Sequence, residues 1–83
     1  MNKVDKKFQF NVVFKPEKEG GFTVLVPLLP GCISYGKTLE EAKKMIADAI
    51  DGYIFSMKKR GEIIETDTDS FISTLSVNGM KYA

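Results

Sequence analysis

One cysteine, eleven carboxylates and no histidine are the side chains from which this 83-residue chain would have to build any chemistry. Lacking histidine, it lacks the commonest general base and the commonest metal ligand. Cys32 has no imidazole to activate it as a nucleophile, and beside Gly31 in a turn it reads as a small packed hydrophobe. A metal ion would find one thiolate and otherwise only carboxylates. Six of those carboxylates fall in pairs, Glu17/Glu19, Glu40/Glu41 and Asp67/Asp69. Glu40 and Glu41 sit where a helix should begin, and capping and the helix dipole account for them. Glu40 also lies four residues before Lys44, a modest helix pair. The other two pairs lie in polar stretches and read as solvated. A two-metal nuclease needs several carboxylates converging on one point, often from strands, and the stretch Phe8 to Phe14 carries none. Gly20-Gly21 has the composition of a phosphate loop, but such a loop leads from a strand into a helix, and these glycines join two strands. No catalytic residue, metal site or cofactor is expected, and the chain reads as a non-enzyme.

The elements that would position these residues are legible from their spacing. Phe8, Phe10, Val12 and Phe14 alternate with polar neighbours, the period of a half-buried strand. Pro16 to Gly21 is a turn by composition, and Phe22 to Val26 returns as the second strand of a hairpin. Pro27 and Pro30 lack the backbone N–H a ladder needs and close that strand. Ile33-Ser34-Tyr35 supplies a third strand, ending at Gly36. Thr38 at the N-cap and Glu41 three residues on form a capping box. Leu39, Ala42, Ile46, Ala49, Ile50, Tyr53 and Met57 then recur at helical period, in a helix about 33 Å long. Lys58, Lys59 and Arg60 before Gly61 suit the negative end of its dipole. Gly52 in mid-helix costs about 1 kcal/mol against alanine and marks either a close approach or an early end. Phe71 to Val77 reads as a last strand, with Asn78-Gly79 as a turn after it. The order β-β-β-α-β predicts a single α+β domain over residues 1–83, an antiparallel-rich sheet with one long helix on one face.

Size and charge narrow the functions this domain can have. A chain this short buries only roughly 60–65% of its unfolded surface, so binding is expected on an outer face, an edge or an oligomer interface. A net charge of +1 gives no broad basic face for nucleic acid. No segment approaches the roughly 20 apolar residues that span a bilayer, and MNKVDKKFQF lacks the apolar run of a signal peptide. A single cysteine fits a reducing compartment, so the cytoplasm is the expected location.

Three features point to a protein partner. Phe55 falls opposite the apolar stripe, among Lys44, Asp48, Asp51 and Lys59, the composition of an interface anchor. From Gly61 to Met80 the chain carries Glu62, Glu65, Asp67 and Asp69 and no Lys or Arg, either a solvated loop or a docking face for a basic protein. Val13 and Leu25 make the outer sheet face partly apolar, and one helix cannot cover both faces, so self-association is expected.

The ordered string Gly20-Gly21-Phe22-Thr23-Val24, Val26-Pro27, Leu29-Pro30-Gly31-Cys32 and Gly36-x-Thr38-x-Glu40-Glu41-Ala42 resembles the HicB antitoxins. The helix through Ala49, Ile50 and Tyr53 fits as well, so the resemblance covers most of Phe8 to Gly61. In this string Gly20, Gly21, Phe22, Pro27, Pro30, Gly31, Gly36, Thr38, Glu41 and Ala42 look structural. The resemblance implies a partial RNase H-like fold without a working nuclease centre. It further implies a HicA-like toxin partner, a small basic RNA-cleaving protein whose active surface the antitoxin masks. Charge and expected exposure, rather than the family string, name the partner-facing residues as Phe55, Glu62, Glu65, Asp67 and Asp69. The chain departs from the family pattern in three ways. It ends at Ala83 without the C-terminal DNA-binding domain many members carry, which puts repression of its own operon in doubt. Ile63-Ile64-Glu65 replaces a proline commonly found after the helix. The net charge is +1 where an acidic antitoxin would better face a basic toxin.

Overall fold

In the computed structural model, which describes residues 8–82, three short strands precede one long helix. Residues 1–7, on which the leader argument partly rests, and Ala83 lie outside the described residues. Strands β1 (Val13–Pro16), β2 (Phe22–Leu25) and β3 (Ile33–Gly36) form an antiparallel sheet in the order β1-β2-β3. Helix α1 (Leu39–Lys59) lies over β3 and β2 and leaves β1 at the uncovered margin. The chain has the α+β architecture its patterning predicts.

Register assigns the two sheet faces. Phe14 is opposite Val24, and Val24 is opposite Ser34. Val24 is fully buried, and the Ser34 hydroxyl donates to the Met45 carbonyl of α1 at 3.4 Å, so this row faces the helix. The buried core is Val24, Val26, Leu29, Cys32, Ala42 and Ile46, flanked by Phe10, Val12, Phe14, Phe22, Ala49, Ile50, Tyr53 and Met57. The alternate row, Val13–Leu25–Ile33, occupies the outer face, with Tyr35 beside it.

The two hairpin turns are held by backbone bonds and by tyrosines. In the first, the Glu17 N–H donates to the Gly21 carbonyl and the Gly20 N–H to the Glu17 carbonyl, each at 3.0 Å. The Thr23 hydroxyl donates to the Glu17 carboxylate at 2.5 Å, so Glu17 belongs to the turn rather than to solvent. Gly21 has φ of +80°, and a Cβ there would collide with the Tyr35 hydroxyl. In the second, Val26 and Cys32 close a loop that buries Leu29 between two exposed prolines. The Tyr53 hydroxyl donates to the Pro30 carbonyl, and the Tyr35 hydroxyl to the Gly20 carbonyl, both at 2.8 Å.

The ends of α1 follow from its capping residues. The Glu41 N–H donates to the Thr38 hydroxyl at 3.0 Å, while the Glu41 carboxylate accepts from the Lys37 N–H at 2.7 Å. The returning bond of the capping box thus falls one residue before the N-cap. At the other end Gly61 N–H donates to the Lys58 carbonyl and Glu62 N–H to the Met57 carbonyl, the paired bonds of a Schellman motif with Gly61, φ +72°, at C′. The helix runs through Gly52 without a break, and a Cβ there would meet nothing within 4 Å. Replacing Thr38 by alanine is expected to cost about 1 kcal/mol. In a domain of this size that lowers Tm by roughly 4–8 °C, a shift that calorimetry resolves.

Two expectations are corrected. The last strand, Phe71 to Val77, does not form: no regular element lies between α1 and a final 3₁₀ turn at Gly79–Tyr82, where Asn78-Gly79 was expected to turn a hairpin. A strand exists only where an adjacent edge satisfies its N–H and C=O groups. A turn is closed there by the Ser70 N–H on the Asp67 carbonyl at 3.0 Å, and Phe71, Leu75 and Val77 beyond it are exposed rather than packed on the sheet. β1 is also shorter than Phe8 to Lys15, because β2 ends at Leu25 and the chain beyond Val26 turns away, leaving residues 8–12 without a ladder.

Candidate partner-binding surface

Of the side chains that could do chemistry, Cys32 is the most withdrawn. It is buried in the core cluster, and burial pushes its thiol pKa up. The thiol stays protonated near neutrality and is a poor nucleophile. Among the described residues no three His, Cys, Asp or Glu side chains lie close enough to hold a metal ion. Among the described residues no helix is long and apolar enough to cross a membrane.

The five residues expected to face a partner separate into three environments. Phe55 projects from the exposed side of α1 at 63% exposure, with the Lys59 ammonium 5.5 Å from its ring centroid. That cation–π contact covers one side of the ring and leaves an aromatic surface beside a positive charge. Glu62 is clamped within its own chain by Arg60, whose Nε and Nη2 donate to the two carboxylate oxygens at 2.8 and 3.1 Å. The guanidinium holds the Glu62 carboxyl below its ordinary pKa range, and the carboxylate raises that of Arg60 in return. Glu62 therefore offers a partner less free charge than the sequence suggests.

Asp67 is a structural residue. Its carboxylate accepts from the Asn11 N–H at 2.9 Å, and its own N–H donates to the Gln9 carbonyl at 2.7 Å. The two bonds tie the segment after α1 to the lead-in of β1, across 56 residues of sequence. Local patterning has no signal for such a lock. Glu65 and Asp69 are exposed and make no side-chain hydrogen bond or ion pair among the described residues. Among the described residues they are the acids of this segment whose charge is left uncompensated.

Two apolar surfaces complete the picture. The outer sheet face presents Val13, Leu25, Ile33 and Tyr35, of which Ile33 is 58% exposed. The expected apolar outer face is thus present. At the margin of β1 a groove is lined by Phe8, Phe10, Ala47, Ile50 and Ile54, with Asp51 at its rim. Ile54 is buried although it was not counted in the apolar stripe. Its spacing of four from Ile50 and eight from Ile46 is the signal that finds it.

Known proteins give this surface a context. The family model described as HicB_like antitoxin of bacterial toxin-antitoxin system matches residues 10–80. A UPF0150 protein of Thermoplasma acidophilum is 42% identical over 59 residues, covering 71% of this chain and 86% of the relative. One of Synechocystis is 33% identical over 70 residues, covering 84% and 87%. A third, of Archaeoglobus fulgidus, is 35% identical over 54 residues, covering 65% and 77%. With its strands, helix and capping residues all inside the matched span, the chain belongs to the HicB-like antitoxin family.

Proposed function

We propose that this chain is the antitoxin of a toxin–antitoxin pair and that it acts by masking a HicA-like, mRNA-cleaving toxin. Membership of an antitoxin family across residues 10–80 is the observation that carries the reading. Masking requires a complementary face and no catalytic group. A small basic ribonuclease would be met by the free carboxylates Glu65 and Asp69 and by the Phe55 ring, with Glu62 as a charge already half-neutralised by Arg60. Opposite potentials steer such an encounter and set its register. A partial RNase H-like ancestry of the fold and a cytoplasmic site of action, where messenger RNA is translated, belong to the same reading.

The test is co-expression with the product of the adjacent gene, followed by an RNA-cleavage assay on the purified pair. The expected result is a stoichiometric complex that leaves RNA intact until this chain is removed. A chain that purifies alone and has no effect on cleavage would overturn the reading. It would favour a stand-alone homo-oligomeric domain, which the exposed outer face at Val13, Leu25 and Ile33 also suits.

A further inference from the structure

The fold leaves Asn78-Gly79 without the task its residue types predict. Such a pair turns a hairpin, but no strand flanks it among the described residues, and Gly79 opens the final 3₁₀ turn instead. Neither conformation nor space demands glycine there. The φ of Gly79 lies outside the left-handed region, and a Cβ on it would meet nothing within 4 Å. What glycine does supply is a backbone nitrogen with no side chain crowding it.

The surroundings suit an attack by that nitrogen on the Asn78 side chain. Asn78, Gly79 and Met80 are all exposed, so water reaches the amide. The Asn78 Oδ1 accepts from the Met80 N–H at 3.0 Å, a bond that bridges Gly79 and folds the side-chain carbonyl back over the intervening peptide. The same N–H is aimed at the oxygen on which negative charge develops when Cγ is attacked. Gly79 is the first residue of its turn, where an N–H has no partner within the turn. No hydrogen bond among the described residues engages it. Asn11 is placed differently, because the β-branched Val12 follows it and crowds the corresponding nitrogen.

We propose that Asn78-Gly79 is a self-modification site, at which the asparagine converts to aspartate and isoaspartate without an enzyme. The Gly79 nitrogen loses its proton to solvent and bonds to Asn78 Cγ. The Cγ–Nδ2 bond breaks, and ammonia leaves with a proton taken back from solvent. The product is a cyclic succinimide. Water adding at Cγ then reopens the ring to aspartate, and water adding at the backbone carbonyl carbon reopens it to isoaspartate. A water is consumed and an ammonia released at each site, with no change of oxidation state. The new carboxylate is ionised near neutrality and takes the net charge from +1 to zero. It carries the acidic stretch of Glu62, Glu65, Asp67 and Asp69 on towards the last turn. The inference concerns the chain's own chemistry and stands independently of any toxin.

The test is incubation of the full chain in mildly alkaline buffer made with oxygen-18 water, followed by peptide mass spectrometry and isoelectric focusing over days. The peptide holding residue 78 should take up a labelled oxygen for each ammonia lost, and the protein should move to a more acidic band. Isoaspartate should appear at position 78 together with aspartate, since direct hydrolysis of the side-chain amide gives aspartate alone. Gly79→Val should slow the conversion about tenfold or more. The helical circular dichroism of that variant should be unchanged, because residue 79 is no part of the core. Conversion of Asn78 no faster than that of Asn11, aspartate without isoaspartate, or a rate unaffected by Gly79→Val would each overturn the proposal.

Discussion

Replacing Gly36 by alanine is expected to cost this domain about 3 kcal/mol or more. Gly36 ends β3 two residues before the helix cap, and a Cβ on it would overlap the backbone nitrogen and Cα of Ala42. Those atoms cannot swing aside as a side chain does. Relief requires α1 to lift off the sheet, opening the core around Ala42, Val24 and Ile46. A domain of 83 residues has a stability of roughly 4–12 kcal/mol, so the loss takes a large share and lowers Tm by roughly 12–24 °C. Gly52→Ala is the matched control. The same methyl meets empty space in mid-helix and should raise stability by about 1 kcal/mol. Thermal unfolding of both variants by circular dichroism checks the pair. Equal Tm values would mean that the approach of β3 to α1 is not what excludes a side chain at Gly36.

Reversing both free acids, Glu65→Lys with Asp69→Lys, is expected to weaken a toxin complex roughly 30-fold at low salt. An exposed ion pair contributes about 0.5 kcal/mol, and reversal converts that attraction into a comparable repulsion, about 1 kcal/mol at each site and about 2 kcal/mol in all. The loss should shrink several-fold near 1 M salt, where charges are screened beyond about 3 Å. Stability should not change, because neither residue has a partner among the described residues. Asp67→Ala should behave in the opposite way. It orphans the Asn11 N–H and should lower stability by about 1 kcal/mol, with little salt dependence. Binding measured against salt for the two variants, with an unfolding curve for each, separates a docking acid from a structural one. Affinity unchanged by the double reversal at low salt would remove the acidic segment from the interface.

The parts of this fold that were legible in the sequence are those specified locally. Thr38 and Glu41 cap the helix where their spacing predicts, Gly61 ends it, and Gly20-Gly21 turns the first hairpin. Each signal is complete within a few residues. The segment Phe71 to Val77 shows what local patterning cannot decide. Alternation states which side chains seek burial and is silent on whether the burying surface belongs to the same chain. The candidate site was legible only as composition. Glu62, Glu65, Asp67 and Asp69 are alike in sequence, and they were separated by Arg60 two residues away and by Asn11, 56 residues away. The second partner is a matter of topology, invisible before the chain is folded.

Every side chain of the core cluster comes from between Phe10 and Met57. The weight of folding is thereby assigned to that stretch, and the residues after Asp67 contribute nothing to the core cluster. Substitutions there leave the core intact, so sequence change meets little resistance. Relatives that share this core should accordingly differ most after the helix, and least between Phe10 and Met57.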